Sequence, residues 1–314
     1  MAKRAKIKTK SKDNFIVRWS KRIQFSSLNQ VSLHTLIGVL MKGISNRTFG
    51  LRVGAVAWAF FFSLFPFLLF LFSILPYAPL YQEIKTILFS EFIPRILPER
   101  ITTEVVDYIS QTATGKTGRN PGWIFILLTI LLSSNGITVM INGFNASYHG
   151  YAKQRKGINN RLISIILTLF FVAFIIAQLI LVYYTNFIWQ YIEEYEVLVE
   201  VSTMTKVLNF VAASLFYFTS LVMLYYYGTN LKQKFRNVFP GALMATFLFF
   251  STLIGFQYYV TQLNYYDVLY GSVGLVMVMM VFVYINVLLI MIGFELNAAI
   301  YHVKIKNDKE IENN

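Results

Sequence analysis

The chain has no cysteine among its 314 residues. Disulfides, thiol nucleophiles and cysteine-ligated metals are therefore excluded. Charge is scarce too: 14% of residues are Asp, Glu, Lys or Arg, and only 15 are acidic. The three histidines, His34, His149 and His302, stand far apart. A metal-dependent nuclease or hydrolase needs clustered His and Asp ligands. The sequence shows no such cluster, and no Ser–His pair or paired aspartates within its apolar segments. Enzymatic activity is therefore not expected, and neither is a cofactor or a metal. The triplet Gly115-Lys116-Thr117 invites a phosphate-loop reading, but that motif needs a glycine at position 110, where Ser110 stands.

What fills the space is apolar. Hydrophobic residues make up 56% of the chain and aromatic ones 17%, and mean hydropathy is positive. This composition belongs to multi-span membrane proteins. A span needs about 20 apolar residues, roughly 30 Å at helical rise. Six stretches qualify, at about residues 53–75, 122–141, 162–188, 207–227, 240–263 and 273–298. The expected fold is all-α: six transmembrane helices in one membrane domain, residues 32–302, with amphipathic helices at the interface. A basic tail, residues 1–31, precedes it without expected secondary structure, and a polar tail, residues 303–314, follows. The apolar residues Leu33, Leu36, Ile37, Leu40 and Ile44 fall at helical spacing and predict an interfacial helix. Two more apolar stripes lie in the long loop, at residues 80–88 and 101–109. No cleavable signal peptide is expected, because the basic start is too long and the first apolar run exceeds a signal core.

Lys and Arg set the expected topology. There are 12 in residues 1–52, 4 in 143–161, 3 in 228–239 and 3 in 303–314. The alternate loops hold 5 in residues 76–120, together with Lys206. The positive-inside rule then places both termini in the cytoplasm. The net charge of +13 is expected to meet anionic lipid headgroups at that face rather than nucleic acid. Self-association into a homo-oligomer is left open.

Several polar residues interrupt the spans. Glu295 is the one carboxylate between Val273 and His302. Ionisable groups at such depth are costly and often functional. Glu295 could bind a cation, relay a proton or pair with a basic residue such as Arg161. It could equally be hydrogen-bonded to a neighbouring helix near the membrane edge. Asn286, Gly293 and Asn297 share one helical face, and Glu295 lies roughly opposite Asn286, so this span is expected to pack on both sides. Asn135 and Gly136 in span 2 face a cavity or a close helix contact. Pro66 removes one helical hydrogen bond and should kink span 1, with Ser63 placed to satisfy the freed carbonyl. Tyr266, Tyr270 and Gly271 are expected to form the outer turn between spans 5 and 6, in an aromatic belt.

Four of these stretches resemble the YihY/BrkB family of bacterial membrane proteins. They are GAVAWAFFFSLFP at residues 54–66, FNASY at 144–148, PGA at 240–242, and the run from YGSVG at 270–274 to GFELNAA at 293–299. The resemblance covers about residues 32–302. It implies a six-span protein of the bacterial inner membrane with a link to envelope function and serum resistance. The family once carried a ribonuclease BN label, which the missing ligand cluster does not support. The resulting expectation is transport or handling of an envelope lipid or other amphiphile, entering between span 1 and the polar faces of spans 2 and 6. The alternative is a non-transporting scaffold for envelope assembly, using the loop at residues 80–120 as its contact surface.

Overall fold

The computed structural model describes residues 24–25, 31–75, 82, 123–147, 157–193, 201–230, 234–262 and 266–312. Among these residues there are seven α-helices: α1 (Leu33–Ile44), α2 (Arg47–Ile74), α3 (Trp123–Asn145), α4 (Gly157–Glu193), α5 (Val201–Gly228), α6 (Phe239–Gln262) and α7 (Tyr266–Glu312). A short antiparallel pair, β1 (Gln24–Phe25) and β2 (Val31–Ser32), aligns Gln24 with Ser32 and Phe25 with Val31. This pairing departs from the unstructured tail expected before residue 32. The stripes expected at residues 80–88 and 101–109 lie outside the described residues, apart from Gln82.

Helices α2 to α7 are each long and apolar enough to cross a membrane. A lipid core offers backbone groups no water, so helical hydrogen bonding must run the whole width. That requirement explains the unbroken helix across each apolar stretch, and several helices also run on beyond those stretches. In α7 there is no turn at Tyr266, Tyr270 and Gly271, which all belong to one continuous helix of 47 residues. A helical glycine costs only about 1 kcal/mol relative to alanine. Gly271 and Gly274 do not break the helix where an apolar run continues beyond them. The same helix carries on to Glu312, through most of the polar tail.

Contacts between distant residues order the helices up and down. Arg52 near the start of α2 meets Glu295 late in α7 and Ser147 just past α3. Asn160 at the start of α4 meets Asn142 near the end of α3. Asn297 of α7 meets Gly241 at the start of α6, and Tyr225 late in α5 meets the Ile290 carbonyl of α7. All six long helices thus bring one end to the same end of the bundle, here termed the polar end. Its core holds Val53, Val56, Met140, Ile141, Phe144, Tyr225, Met291 and Phe294, all nearly inaccessible. Outward faces are the reverse of a soluble protein: Leu51, Phe247 and Ile254 are each at least 70% exposed. Lipid is as apolar as these side chains, so close packing rather than hydrophobic burial must hold the helices together. Gly136 serves that purpose, since a Cβ there would stand 3.0 Å from the Phe60 Cα of α2. Helix α1 lies against α7 through Leu36, Ala299 and Ile300.

Candidate functional site

Glu295 sits on the buried side of α7, with its side chain 7% exposed. Its Oε1 accepts from Arg52 Nη2 at 2.8 Å and from Ser147 Oγ at 2.6 Å. Arg52 Nη1 also donates to the Gly143 carbonyl at 3.1 Å and to Ser147 Oγ. The guanidinium lies over the Phe49 ring at 5.6 Å. The other carboxylate oxygen faces α1, where a Cβ on Gly43 would approach Oε2 to 2.9 Å. One carboxylate therefore joins α2, the end of α3 and α7, with α1 laid across it. Arg52 replaces Arg161, the partner named from sequence. The reason is rotational: Arg52 falls on the buried face of α2 beside Val53 and Val56, whereas Arg161 starts α4 on the far side of α3.

Asn297 makes a different joint. Its Oδ1 accepts from Gly241 N at 2.8 Å, and its Nδ2 donates to the Val238 carbonyl at 3.0 Å. The first N–H groups of a helix lack intrahelical partners. Asn297 supplies one to α6 from another helix. The backbones must touch for this to occur. A Cβ on Gly241 would overlap the Gly293 carbonyl, and one on Gly293 would stand 2.6 Å from the Gly241 carbonyl. Gly293 and Asn297 thus face α6 while Glu295 faces α2, and α7 is packed on both sides as its polar pattern indicates.

The remaining predicted residues do not join this site. Asn286 donates to its own helix at Phe282, 2.7 Å away, and its buried Oδ1 has no partner among the described residues. Asn135 is exposed on the outer face of α3 and accepts from Arg161. Asn135, Asn286 and Glu295 therefore do not converge on one space. Ser63 donates to the Ala59 carbonyl at 2.7 Å rather than to the carbonyl that Pro66 leaves free. A helical serine reaches only three or four residues back, and that free carbonyl belongs to Phe62, one residue before it. Helix α2 runs on through Pro66. The side chains of Tyr266 and Tyr270, and the surroundings of Gly271, lie outside what the structure describes.

Sequence reasoning missed Arg52, Ser147, Gly241 and Tyr225 as partners. A signal existed for three. Ser147 and Gly241 lie inside the short stretches FNASY and PGA singled out above, and Arg52 is the only charge between Arg47 and Ile74. These stretches meet in space: Phe144 stacks on Phe294 with centroids 4.1 Å apart and planes at 18°. Among the described residues, no three His, Asp or Glu side chains cluster to hold a metal.

Six apolar helices joined by a polar knot at one end define a multi-pass membrane protein of the helical-bundle class. The chain belongs to the family described as Virulence factor BrkB, whose profile matches residues 40–314. It is similar to the ribonuclease-like protein YfkH of Bacillus subtilis (strain 168), at 29% identity over 262 residues, covering 79% of this chain and 89% of YfkH. It is also similar to a UPF0761 membrane protein of Vibrio campbellii, at 25% identity over 267 residues, 83% of this chain and 80% of that one. A shorter match, 35% over 91 residues, links it to a UPF0761 membrane protein of Pseudoalteromonas translucida and covers 29% of this chain and 30% of the relative. No solved structure matches.

Proposed function

We propose that the protein handles a membrane amphiphile, an envelope lipid or a similar molecule, and that the polar end opens and closes as it does so. The observation that carries this reading is the buried Arg52–Glu295 pair at a junction of three spans. A buried ion pair is a poor choice for permanent adhesion, because well-packed apolar residues hold as well or better. It is exchangeable, however: a competing charge on a ligand can take either partner. The Gly241–Gly293 joint, sealed by Asn297, is what a permanent contact looks like in the same bundle. The expected entry between α2, α3 and α7 is closed here, by Gly136 against Phe60 and by the Arg52 knot. Entry by that route requires the knot to part.

On this reading the polar end faces the cytoplasm of a bacterial inner membrane, because the segments at that end carry most of the Lys and Arg. The scaffold alternative relies on residues 80–120, which lie outside the described residues apart from Gln82. Native mass spectrometry of the purified protein in mild detergent tests the proposal, with wild type beside Glu295→Gln. The expected result is a defined lipid retained by wild type and depleted in the variant. Bulk phospholipid alone in both forms would count against amphiphile handling and for the scaffold.

A further inference from the structure

Arg161 is the fifth residue of α4, and its side chain runs in an unusual direction. Its neighbour Asn160 is level with Asn142 of α3, to which its Nδ2 donates at 3.2 Å. From there Arg161 reaches away from the polar end. Nη1 donates to Thr138 Oγ1 at 3.3 Å and to Asn135 Oδ1 at 3.4 Å, and Nη2 donates to the Leu131 carbonyl. Leu131 lies eleven residues before Asn142 in α3, about 16 Å further from the polar end at helical rise. Arginines near the ends of membrane helices normally extend outward to the headgroups. This one extends inward, along the outer face of the bundle.

Three features of the seam between α3 and α4 bear on what it holds. The groups that accept from Arg161 are all neutral. Among the described side chains the one carboxylate is Glu295, which Arg52 already holds. The positive charge of Arg161 therefore has no counter-charge among the described side chains. The seam is also open to lipid: Asn135 is exposed, and near its level Leu128 and Leu132 of α3 and Ile166 of α4 are each more than half exposed. Finally, Asn135 gives its oxygen to Arg161, which leaves its Nδ2 hydrogens for another acceptor.

We propose that this seam is a binding site for the anionic headgroup of a membrane lipid. Arg161 pairs with a phosphate or carboxylate oxygen, for which a guanidinium is the best matched side chain. Asn135 donates a second hydrogen bond, and the acyl chains lie on the exposed leucines and isoleucine of α3 and α4. The proposal rests on the amphiphile reading above and names its ligand class: an anionic lipid rather than a zwitterionic one. It also places the site on the outer face of α3 and α4, away from the Arg52–Glu295 knot.

The test uses the full chain in mild detergent with added phosphatidylglycerol, phosphatidylcholine or inorganic phosphate, read by native mass spectrometry. Wild type should retain phosphatidylglycerol at least about tenfold more strongly than phosphatidylcholine, and Arg161→Gln should lose that preference. Arg161→Lys should keep part of it, since a point charge remains without the paired donors. A second measurement needs no variant: phosphatidylglycerol should slow modification of Arg161 by phenylglyoxal in the wild-type protein, with phosphatidylcholine and phosphate ineffective. Equal retention by wild type and Arg161→Gln, with no protection of Arg161, would overturn this site and leave amphiphile handling standing. Protection by inorganic phosphate as strong as by the lipid would overturn the lipid assignment. Absence of any selective retention by wild type would overturn the anionic site, while amphiphile handling would still be decided by the Glu295→Gln comparison.

Discussion

At the scale of single residues, the structure separates two kinds of polar contact within one helix. Glu295 and Asn297 are two residues apart and point to different neighbours. Glu295 holds a charge partner, and Asn297 holds backbone. Their sensitivity to mutation should differ accordingly. Removing Arg52 leaves Glu295 buried with only the Ser147 hydroxyl, so Arg52→Ala should destabilise the protein by about 3 kcal/mol. The double variant Arg52→Met, Glu295→Leu removes both charges and should recover most of that loss. Thermal unfolding followed by the fluorescence of the four tryptophans measures both. If the double variant is as stable as wild type yet fails to handle lipid, the pair is present for exchange rather than for adhesion. A double variant no more stable than Arg52→Ala would show instead that the pair is needed to hold the helices together.

At the scale of elements, the contact between α6 and α7 depends on two glycines that permit backbone to touch backbone. Gly241→Ala should cost about 1–3 kcal/mol, because the added methyl meets the fixed Gly293 carbonyl rather than a movable side chain. Gly54→Ala is the control. It lies in α2 with nothing within 4 Å of its Cβ position, so it should stay within about 1 kcal/mol of wild type. Equal losses in both would mean that the two helices are not in contact at these glycines. The motif residues on either side of this joint were visible in sequence, but their pairing was not. Gly241 and Gly293 have no local feature that selects each other.

At the scale of the whole molecule, sidedness is the property to test. The absence of cysteine makes this direct, since any introduced thiol is the only one. Gly157 starts α4 at the polar end, with open space at its Cβ position. A cysteine there should react in intact cells only with a membrane-permeant maleimide. A cysteine in place of Thr114, between α2 and α3 in sequence, should react with an impermeant one. The reverse pattern would place the polar end outside and overturn the topology that the charge distribution implies.

The sequence by itself determined the class of structure: six apolar helices and little else, because hydropathy is a local property and length in lipid is a local requirement. It also marked Glu295 and Asn297 as residues needing partners, because polar groups in such segments must be satisfied. It misjudged the start of α7, where the helix begins at Tyr266 and runs through Gly271, because a single glycine costs a helix only about 1 kcal/mol. The choice of partners was decided only by tertiary structure. Arg52 and Glu295 are 243 residues apart, and nothing local to either one distinguishes Arg52 from Arg161 as the match. That choice follows from how each helix is rotated about its axis when small residues let the backbones close together, and rotation is set by the whole bundle at once.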